Sequence, residues 1–225
     1  MSVLYVVATP IGNLEDISSR ALRTLKEVDF ILCEDTRVTS KLLAHYKIKR
    51  PLVSYHQHSS LAKKEQIINL IKEGKHLALV TDAGTPGISD PGNELIARIL
   101  EELPEQVDIV PIPGPTALAA AASISGMPMN EFLFLGYPPS KNKRAKFFMR
   151  VSECNTPVIL YESVHRILRS LKDLRDVLEK DRKIMVAREL TKKFETVYRG
   201  TVEEVAEKLE KDNVKGEFVI IVNKK

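Results

Sequence analysis

Charged side chains directly follow an apolar run in the first part of the sequence, and they have the types that acid–base chemistry needs. Glu34 and Asp35 come straight after the run at residues 30–33, and Arg37 stands two positions later. Carboxylates at the end of a buried strand are costly unless they are paired or solvated, and one held there is a candidate general base. Glu34 and Arg37 are therefore predicted to be catalytic. The alternative is a structural ion pair that caps the following helix.

Two histidines follow the next apolar run and add imidazole groups to this set. Alternate residues of an extended strand share a face, which predicts that His56 and His58 lie on the same side of the chain if the strand continues to them. A metal site, a catalytic role and a structural role are all compatible with such a pair. Because no third ligand is visible, we expect no metal, and His58 joins the predicted catalytic residues. Glu189 is a further acid at the end of an apolar run.

A loop rich in glycine and proline follows the apolar run at residues 77–80. The segment 81–92 contains three glycines and two prolines and precedes a helical pattern. Glycine lets a ligand approach the main chain, whereas most connections from a strand to a helix are shorter, about 2–6 residues. The pattern favours a ligand loop, with an ordinary connection as the alternative. Neither a P-loop nor Gly-x-Gly-x-x-Gly occurs, so the loop suits amine and sulfonium groups better than phosphates.

The elements that must position these residues follow an α/β pattern. Apolar runs of strand length alternate with helical periodicities along the whole chain, which favours βαβ units and a largely parallel sheet. The proline-rich segment 111–115 predicts a boundary between an N-terminal α/β domain at residues 1–114 and a C-terminal α/β domain at residues 115–225. Apolar spacing predicts a long helix over residues 164–178.

Composition indicates a globular protein rather than a membrane protein. The 225 residues are 44% hydrophobic and 28% charged, and no apolar run approaches the roughly 20 residues of a membrane span. The N-terminus lacks the basic start of a signal peptide. The two cysteines are outside any ligand-spaced motif, which favours a reducing compartment and a cytoplasmic location. A net charge of +4 alone decides little about nucleic acid.

Eight motifs occur together in a fixed order and cover essentially the whole chain. They lie at residues 7–17, 34–37, 54–58, 80–92, 113–117, 161–165, 187–190 and 216–219. With these motifs the sequence resembles the S-adenosylmethionine-dependent methyltransferases of the tetrapyrrole methylase superfamily. Within it, the motifs are similar to those of enzymes that methylate the 2′-oxygen of a cytidine ribose in the decoding region of 16S ribosomal RNA.

The resemblance implies two α/β domains of the tetrapyrrole methylase type, with S-adenosylmethionine folded in the cleft between them, and a homodimer. By motif position it implies cofactor contacts at Pro10, Ile11, Gly84, Thr85, Pro86, Ile88, Thr116, Ala117, Tyr161, Arg188 and Glu217. Many superfamily members carry Gly-Asp-Pro in the central loop, where this chain has Gly-Thr-Pro. A contact there must therefore use the Thr85 hydroxyl or the main chain. For Tyr161, a place at the rim of the core is the alternative.

A basic cluster predicts how the RNA partner is held. Residues 141–150 contain five basic residues and no acid, and phosphate contacts position RNA without reading its sequence. The predicted RNA-binding residues are Lys141, Lys143, Arg144 and Lys146, with a solvated helix face as the alternative. The predicted partner is the small ribosomal subunit or its RNA. Two other functions remain open: a corrinoid or sirohaem precursor C-methyltransferase, and a non-catalytic RNA-binding assembly factor.

Overall fold

The computed structural model describes residues 1–57, 59–212 and 214–225. The chain folds into two compact units, unit 1 (Met1–Thr116) and unit 2 (Ala117–Lys225), and each is an α/β structure. This division falls two residues after the boundary predicted at residue 114. His58, one of the predicted catalytic residues, lies outside the described residues.

Unit 1 is built on a parallel sheet. Among the described residues its strands are β1 (Ser2–Val7), β2 (Phe30–Cys33), β3 (Leu52–Ser54), β4 (Leu77–Leu79) and β5 (Val107–Ile112). Their order is β3-β2-β4-β1-β5, and every neighbouring pair is parallel. The carboxyl ends of these strands therefore meet at one edge of the sheet, which is where open α/β sheets bind ligands.

Helices cover both faces of this sheet. They are α1 (Ser19–Glu27), α2 (Thr36–His45), α3 (Leu61–Lys72) and α4 (Asn93–Glu102), with a 3₁₀ turn at Leu14–Asp16. Helices α1 and α2 pack with Ile31 and Ala78 on one face, and α3 and α4 pack with Leu32 and Leu79 on the other. Burial on both faces explains why the strands are continuous apolar runs rather than alternating patterns.

Unit 2 is built on a mixed sheet. Its described strands are β6 (Leu133–Phe134), β7 (Val158–Ser163), β8 (Ile184–Arg188), β9 (Thr196–Gly200) and β10 (Glu217–Val222), in the order β6-β7-β10-β8-β9. Only β6 and β7 are parallel among these, so the predicted parallel sheet is wrong for this half. Residues 189–195 join β8 to β9 without a helix, and such a short connection requires antiparallel strands.

The helices of unit 2 are α5 (Ala117–Ser123), α6 (Arg144–Glu153), α7 (Ile167–Val177) and α8 (Val202–Lys211). Helices α6, α7 and α8 pack together over one face of the sheet around Phe148, Leu171 and Leu209. The helix predicted over residues 164–178 begins only at Ile167, because the chain first makes a turn in which the Arg166 amide donates to the Ser163 carbonyl. In the described part of the chain, no helix combines the length and apolarity needed to cross a membrane.

Candidate active site

A cavity of about 470 Å³ lies at the carboxyl edge of the unit 1 sheet. Three neighbouring strands, β3, β2 and β4, end at this position, so the segments that follow them converge. The cavity is lined by Glu34, Asp35, Thr36, Arg37, Ser54, His56 and Asp82. The parallel pairing of the sheet thus brings together acids and a histidine that are up to 48 positions apart in the sequence, from Glu34 to Asp82.

Glu34 has the environment of a proton acceptor. It follows β2 and is half-buried. Burial raises the pKa of its carboxyl group, the negative charges of Asp82 and Asp35 raise it further, and His56 opposes them. A carboxylate with a raised pKa binds a proton more strongly than an ordinary glutamate, which is what general base catalysis near neutral pH requires.

Asp35 has a structural role that the sequence left open. Its carboxylate caps α2 by accepting a hydrogen bond from the Arg37 amide at 2.8 Å, and it also accepts from the Arg37 guanidinium at 2.6 and 3.0 Å. These bonds to Arg37 lower the pKa of Asp35 to about 2. The Arg37 side chain is 86% exposed. Asp35 therefore stays ionised, and the ion pair fixes the start of α2.

Asp82 is a site residue that sequence reasoning did not name among the catalytic candidates. Its Oδ1 accepts a hydrogen bond from the Asp35 amide at 3.2 Å. Burial raises the pKa of Asp82, and this bond partly offsets the effect. The signal that would have found Asp82 is the same as for Glu34: a carboxylate close behind a fully apolar run. The other predicted acid, Glu189, lies in unit 2.

Beside the cavity, three loops of unit 1 are bonded to one another. The Thr9 amide donates to the Gly84 carbonyl at 2.9 Å, and the Gly84 amide donates back at 3.1 Å. The Thr85 hydroxyl donates to the Pro115 carbonyl at 3.2 Å. These bonds therefore connect the segments after β1, β4 and β5 to one another. The connected segments contain the predicted cofactor contacts Pro10, Ile11, Gly84, Thr85, Pro86 and Thr116.

The backbone of this site requires a glycine at residue 84. Gly84 has φ +90°, a conformation that L side chains rarely adopt, whereas an added Cβ would be in ordinary contact with Ile11 Cγ2 at 3.5 Å, so the backbone and not the space requires glycine. Thr85 uses its hydroxyl hydrogen within the protein and keeps its oxygen lone pairs as acceptors. Ile88, a further predicted contact, is 38% exposed.

These loops fit a ligand that carries ammonium and sulfonium groups. They present hydroxyls and main-chain carbonyls, and no lysine or arginine occurs in segments 8–12, 81–92 or 113–116. The buried Thr81 Oγ1 has no hydrogen-bond partner among the described residues, so it is available to a ligand. The donor set therefore matches S-adenosylmethionine better than it matches a nucleoside phosphate.

In unit 2, Tyr161 lies at the centre of an aromatic group near the end of β7. Its ring centroid is 4.9 Å from that of Phe134 and 5.7 Å from that of Tyr137. Its hydroxyl accepts a hydrogen bond from the Leu118 amide at 3.0 Å, in the first turn of α5, the helix that begins at Ala117. Aromatic faces attract cations and flat rings. The group is suited to the role predicted for Tyr161.

A charged bridge joins the residue after the end of β8 to the first residue of β10. Lys192 Nζ donates to Glu189 Oε1 at 2.8 Å and to Glu217 Oε2 at 2.9 Å. The Glu217 amide also donates to Glu189 Oε1 at 2.9 Å. Burial opposes ionisation of Glu189, but the bonds from Lys192 and from the Glu217 amide outweigh it and lower its pKa. At Gly216 an added Cβ would lie 2.4 Å from Glu189 Cγ, so the chain passes close to this carboxylate. Arg188, just before the bridge, is buried and pairs with Asp212 at 3.3 Å.

The basic cluster is only partly exposed, and one predicted RNA contact is wrong. Lys141, Lys143 and Lys146 are exposed, but Arg144 is 4% exposed. The Arg144 guanidinium donates to Asp173 at 2.6 Å, to the Ser170 hydroxyl at 2.8 Å and to the Pro139 carbonyl at 2.9 Å. Since all three guanidinium nitrogens bond within unit 2, this side chain is structural.

Two further arginines hold the same loop, residues 136–140, which follows β6. Arg166 Nη1 donates to the Pro138 carbonyl at 3.0 Å, and Arg169 Nη1 donates to the Ser140 carbonyl at 3.1 Å. The fully buried carboxylate of Glu162 pairs with Arg166 at 3.0 Å. The loop that carries Tyr137 is therefore fixed through its main-chain oxygens.

Comparison with known proteins assigns the family. The model of the tetrapyrrole (corrin/porphyrin) methylases matches residues 3–206. The chain is a member of the tetrapyrrole methylase family. The prediction of family and fold class is thus confirmed.

Curated relatives match this methylase over nearly its whole length. A protein of Synechocystis is 44% identical over 99% of the methylase and 79% of its own length. A protein of Thermotoga maritima is 43% identical over 100% of both chains. Both are named "Ribosomal RNA small subunit methyltransferase I".

A solved structure also resembles the methylase. Uroporphyrin-III C-methyl transferase from Thermus thermophilus, in complex with S-adenosyl homocysteine, has a TM-score of 0.65 and 20% identity and covers 98% of the methylase and 96% of its own chain. At that identity the likeness concerns the fold.

Proposed function

We propose that this chain is an S-adenosylmethionine-dependent methyltransferase that methylates the 2′-oxygen of a cytidine ribose in the decoding region of 16S ribosomal RNA. The observation that carries the proposal is identity of 43–44%, over 99–100% of this chain, to proteins named for methylation of small-subunit ribosomal RNA. The cavity at the carboxyl edge of the unit 1 sheet supports it, since it places a half-buried carboxylate beside loops that suit the cofactor.

Glu34 is the proposed general base. A ribose hydroxyl is a weak acid, so its oxygen attacks a methyl group only when a nearby group takes its proton or stabilises the alkoxide. The raised pKa of Glu34 increases its proton affinity, and its place in the cavity gives a hydroxyl access to it. Arg37 and His58 remain predicted catalytic residues, with the exposed Arg37 guanidinium suited to an anionic backbone.

The proposed cofactor contacts in unit 1 are the bonded loops after β1, β4 and β5. When bound, S-adenosylmethionine supplies an electrophilic methyl group. The loops hold the cofactor rigidly. Rigidity matters because the displacement requires the methyl group to be close to the attacking oxygen and in line with it. The Thr9–Gly84 pairing and the Thr85 bond to Pro115 provide that rigidity. In unit 2, Ala117, Tyr161, Arg188 and Glu217 remain the predicted contacts.

The test is methyl transfer from tritiated S-adenosylmethionine. Unmethylated small subunits, free 16S RNA and a porphyrinoid are offered in parallel, and the modified nucleotide is located by digestion. We expect tritium on a cytidine ribose in the RNA arms. Transfer to the porphyrinoid instead would favour the C-methyltransferase alternative. Calorimetry tests the non-catalytic alternative, which predicts no binding of S-adenosylmethionine.

We also propose that the protein is a homodimer in the cytoplasm and that the lysines of the basic cluster bind RNA phosphates. Lys141, Lys143 and Lys146 are exposed and near the start of α6, so they are free to contact a polyanion. Light scattering of the purified protein measures the oligomeric state, and a monomer at micromolar concentration would contradict the dimer.

A further inference from the structure

We propose that the loop between β8 and β9 is a stacking contact for single-stranded RNA, in which a nucleobase packs on the ring of Phe194 and Lys193 lies beside the backbone phosphates. The inference rests on the proposed function, because it assigns a contact to the RNA substrate. The loop comprises residues 189–195 and follows the carboxyl end of β8.

Phe194 is the most exposed aromatic side chain among the large hydrophobic residues that the structure describes as exposed. It is 64% exposed, and Lys193 Nζ lies 5.6 Å from its ring centroid. A single exposed apolar residue is common on protein surfaces. The way in which the loop is built distinguishes this one.

The loop holds strained backbone in place. Glu189 has φ 52° and Thr191 has φ 65°, and left-handed conformations are particularly unfavourable for a β-branched residue such as threonine. The bridge from Lys192 to Glu189 and Glu217 and a 2.6 Å bond from the Thr191 amide to Glu195 stabilise this shape. Two residues suffice to join hairpin strands. A seven-residue loop with strain that is held by side chains is typical of a functional segment.

The surrounding charge favours RNA as the occupant. Strands β6 and β7 are parallel, and α6 runs from the carboxyl end of β6 back to the start of β7, so α6 begins at the same sheet edge where β8 ends. That end of α6 carries the exposed Lys141, Lys143 and Lys146. Lysines with an exposed aromatic ring match the phosphates and bases of a single strand. A second copy of the chain is the rival occupant, but lysine is depleted at protein interfaces.

The first test compares Phe194→Ala with wild-type protein in RNA binding over a series of salt concentrations. Loss of one stacked base lowers affinity by roughly 5- to 150-fold. Because stacking is not ionic, we expect this loss at every salt concentration with an unchanged slope of log affinity against log salt. Leu100→Ala, which truncates a 50% exposed residue of unit 1, is the matched control and leaves RNA affinity unchanged.

The second test uses Phe194→Trp as a reporter. The chain contains no tryptophan, so this variant has a single indole, and a stacked base quenches its fluorescence. We expect quenching by a single-stranded oligonucleotide of the target sequence, and affinity near that of wild type.

Three results separate the possible failures. Unchanged RNA affinity of Phe194→Ala with no quenching of Phe194→Trp overturns the stacking contact, while wild-type methylation of RNA leaves the proposed function intact. A smaller particle mass for Phe194→Ala, with unchanged RNA affinity per protomer, assigns the ring to self-association and also overturns it. A wild-type protein that neither binds nor methylates RNA overturns the proposed function itself.

Discussion

The main-chain amide of Asp35 donates to Oδ1 of Asp82 at 3.2 Å, and this bond joins the segments that follow β2 and β4. The two strands are neighbours in the sheet. The bond orients the Asp82 carboxyl in a cavity that also contains Glu34. Burial is the main cause of the raised pKa of Glu34, and the negative charge of Asp82 adds to it, so the pairing of two strands contributes to the proton affinity of the proposed base.

Replacing Glu34 with glutamine tests its role as the base. Removal of a general base typically lowers the rate by about 10²- to 10⁴-fold, and we expect that loss in kcat for Glu34→Gln with little change in affinity for S-adenosylmethionine. Single-turnover methyl transfer and calorimetry measure the two quantities. Glu101→Gln, an exposed position in α4, is the matched control. A fully active Glu34→Gln enzyme would remove Glu34 from the mechanism.

The raised pKa of Glu34 predicts how stability and activity depend on pH. A carboxyl group whose pKa is raised on folding stabilises the folded protein below its ordinary pKa of 4.5, and that contribution is lost as pH rises through the raised value. Glu34→Gln should therefore melt at a higher temperature than wild type at neutral pH, and the difference should vanish below about pH 4. Wild-type activity should fall as pH drops through the raised pKa. If Glu34→Gln were less stable than wild type at neutral pH, burial of the ionised Glu34 carboxylate would not be destabilising, which would contradict this prediction.

Substitution of Gly84 tests whether this residue matters for cofactor binding or only for the conformation of the backbone. Gly84→Ala forces alanine to adopt φ +90° and should lower stability by about 1–3 kcal/mol, and affinity for S-adenosylmethionine should fall with it. Gly74 has φ +81° with open space around it, so Gly74→Ala should cost stability alone. Thermal melts and calorimetry on both variants give the comparison. Equal cofactor affinities would show that residue 84 is a structural position only.

Two neighbouring residues of the basic cluster should behave differently. Lys143 is exposed, and Lys143→Ala should flatten the salt dependence of RNA binding without changing the melting temperature. Arg144 is buried and pairs with the partly exposed Asp173, and Arg144→Ala should cost about 1–3 kcal/mol because it leaves the buried Ser170 hydroxyl and the Pro139 carbonyl without this donor. Filter binding over a salt series and urea unfolding measure the two effects. An unchanged salt slope for Lys143→Ala would exclude a phosphate contact there.

The bridge of Lys192 predicts acid sensitivity in unit 2. The pKa of Glu189 is lowered, so the stability it contributes is present above its ordinary pKa of 4.5 and is lost as pH falls through the lowered value. Lys192→Met should remove this contribution and lower stability by about 1 kcal/mol at neutral pH. Melting curves of both proteins from pH 7 to pH 3 provide the measurement, with Lys193→Met as the control. If the melting temperatures of wild type and Lys192→Met differ by the same amount at every pH in that range, the bridge is contradicted.

The sequence predicted the elements of unit 1 well because buried parallel strands are continuous apolar runs, and those runs are easy to read. It did not predict that Asp82 and Glu34 meet, since the order in which strands pair depends on contacts far apart in the chain. Arg144 shows a second limit. The sequence alone does not distinguish the five basic residues within 141–150 from one another. Only the packing of α6 against α7 shows that Arg144 is the buried one. In unit 2, β10 lies between β7 and β8 and pairs antiparallel with both, whereas the sequence predicted a largely parallel sheet.

The three arginines that hold residues 136–140 each donate to a main-chain carbonyl oxygen of that segment. Every amino acid supplies that oxygen, and Pro138 and Pro139 have no amide hydrogen that would compete for it. The arginine contacts to these oxygens therefore hold the path of the segment without requiring a particular side chain at the residues they contact. Lysine could not replace Arg144, because an ammonium group has no planar fork with which to reach its several acceptors at once.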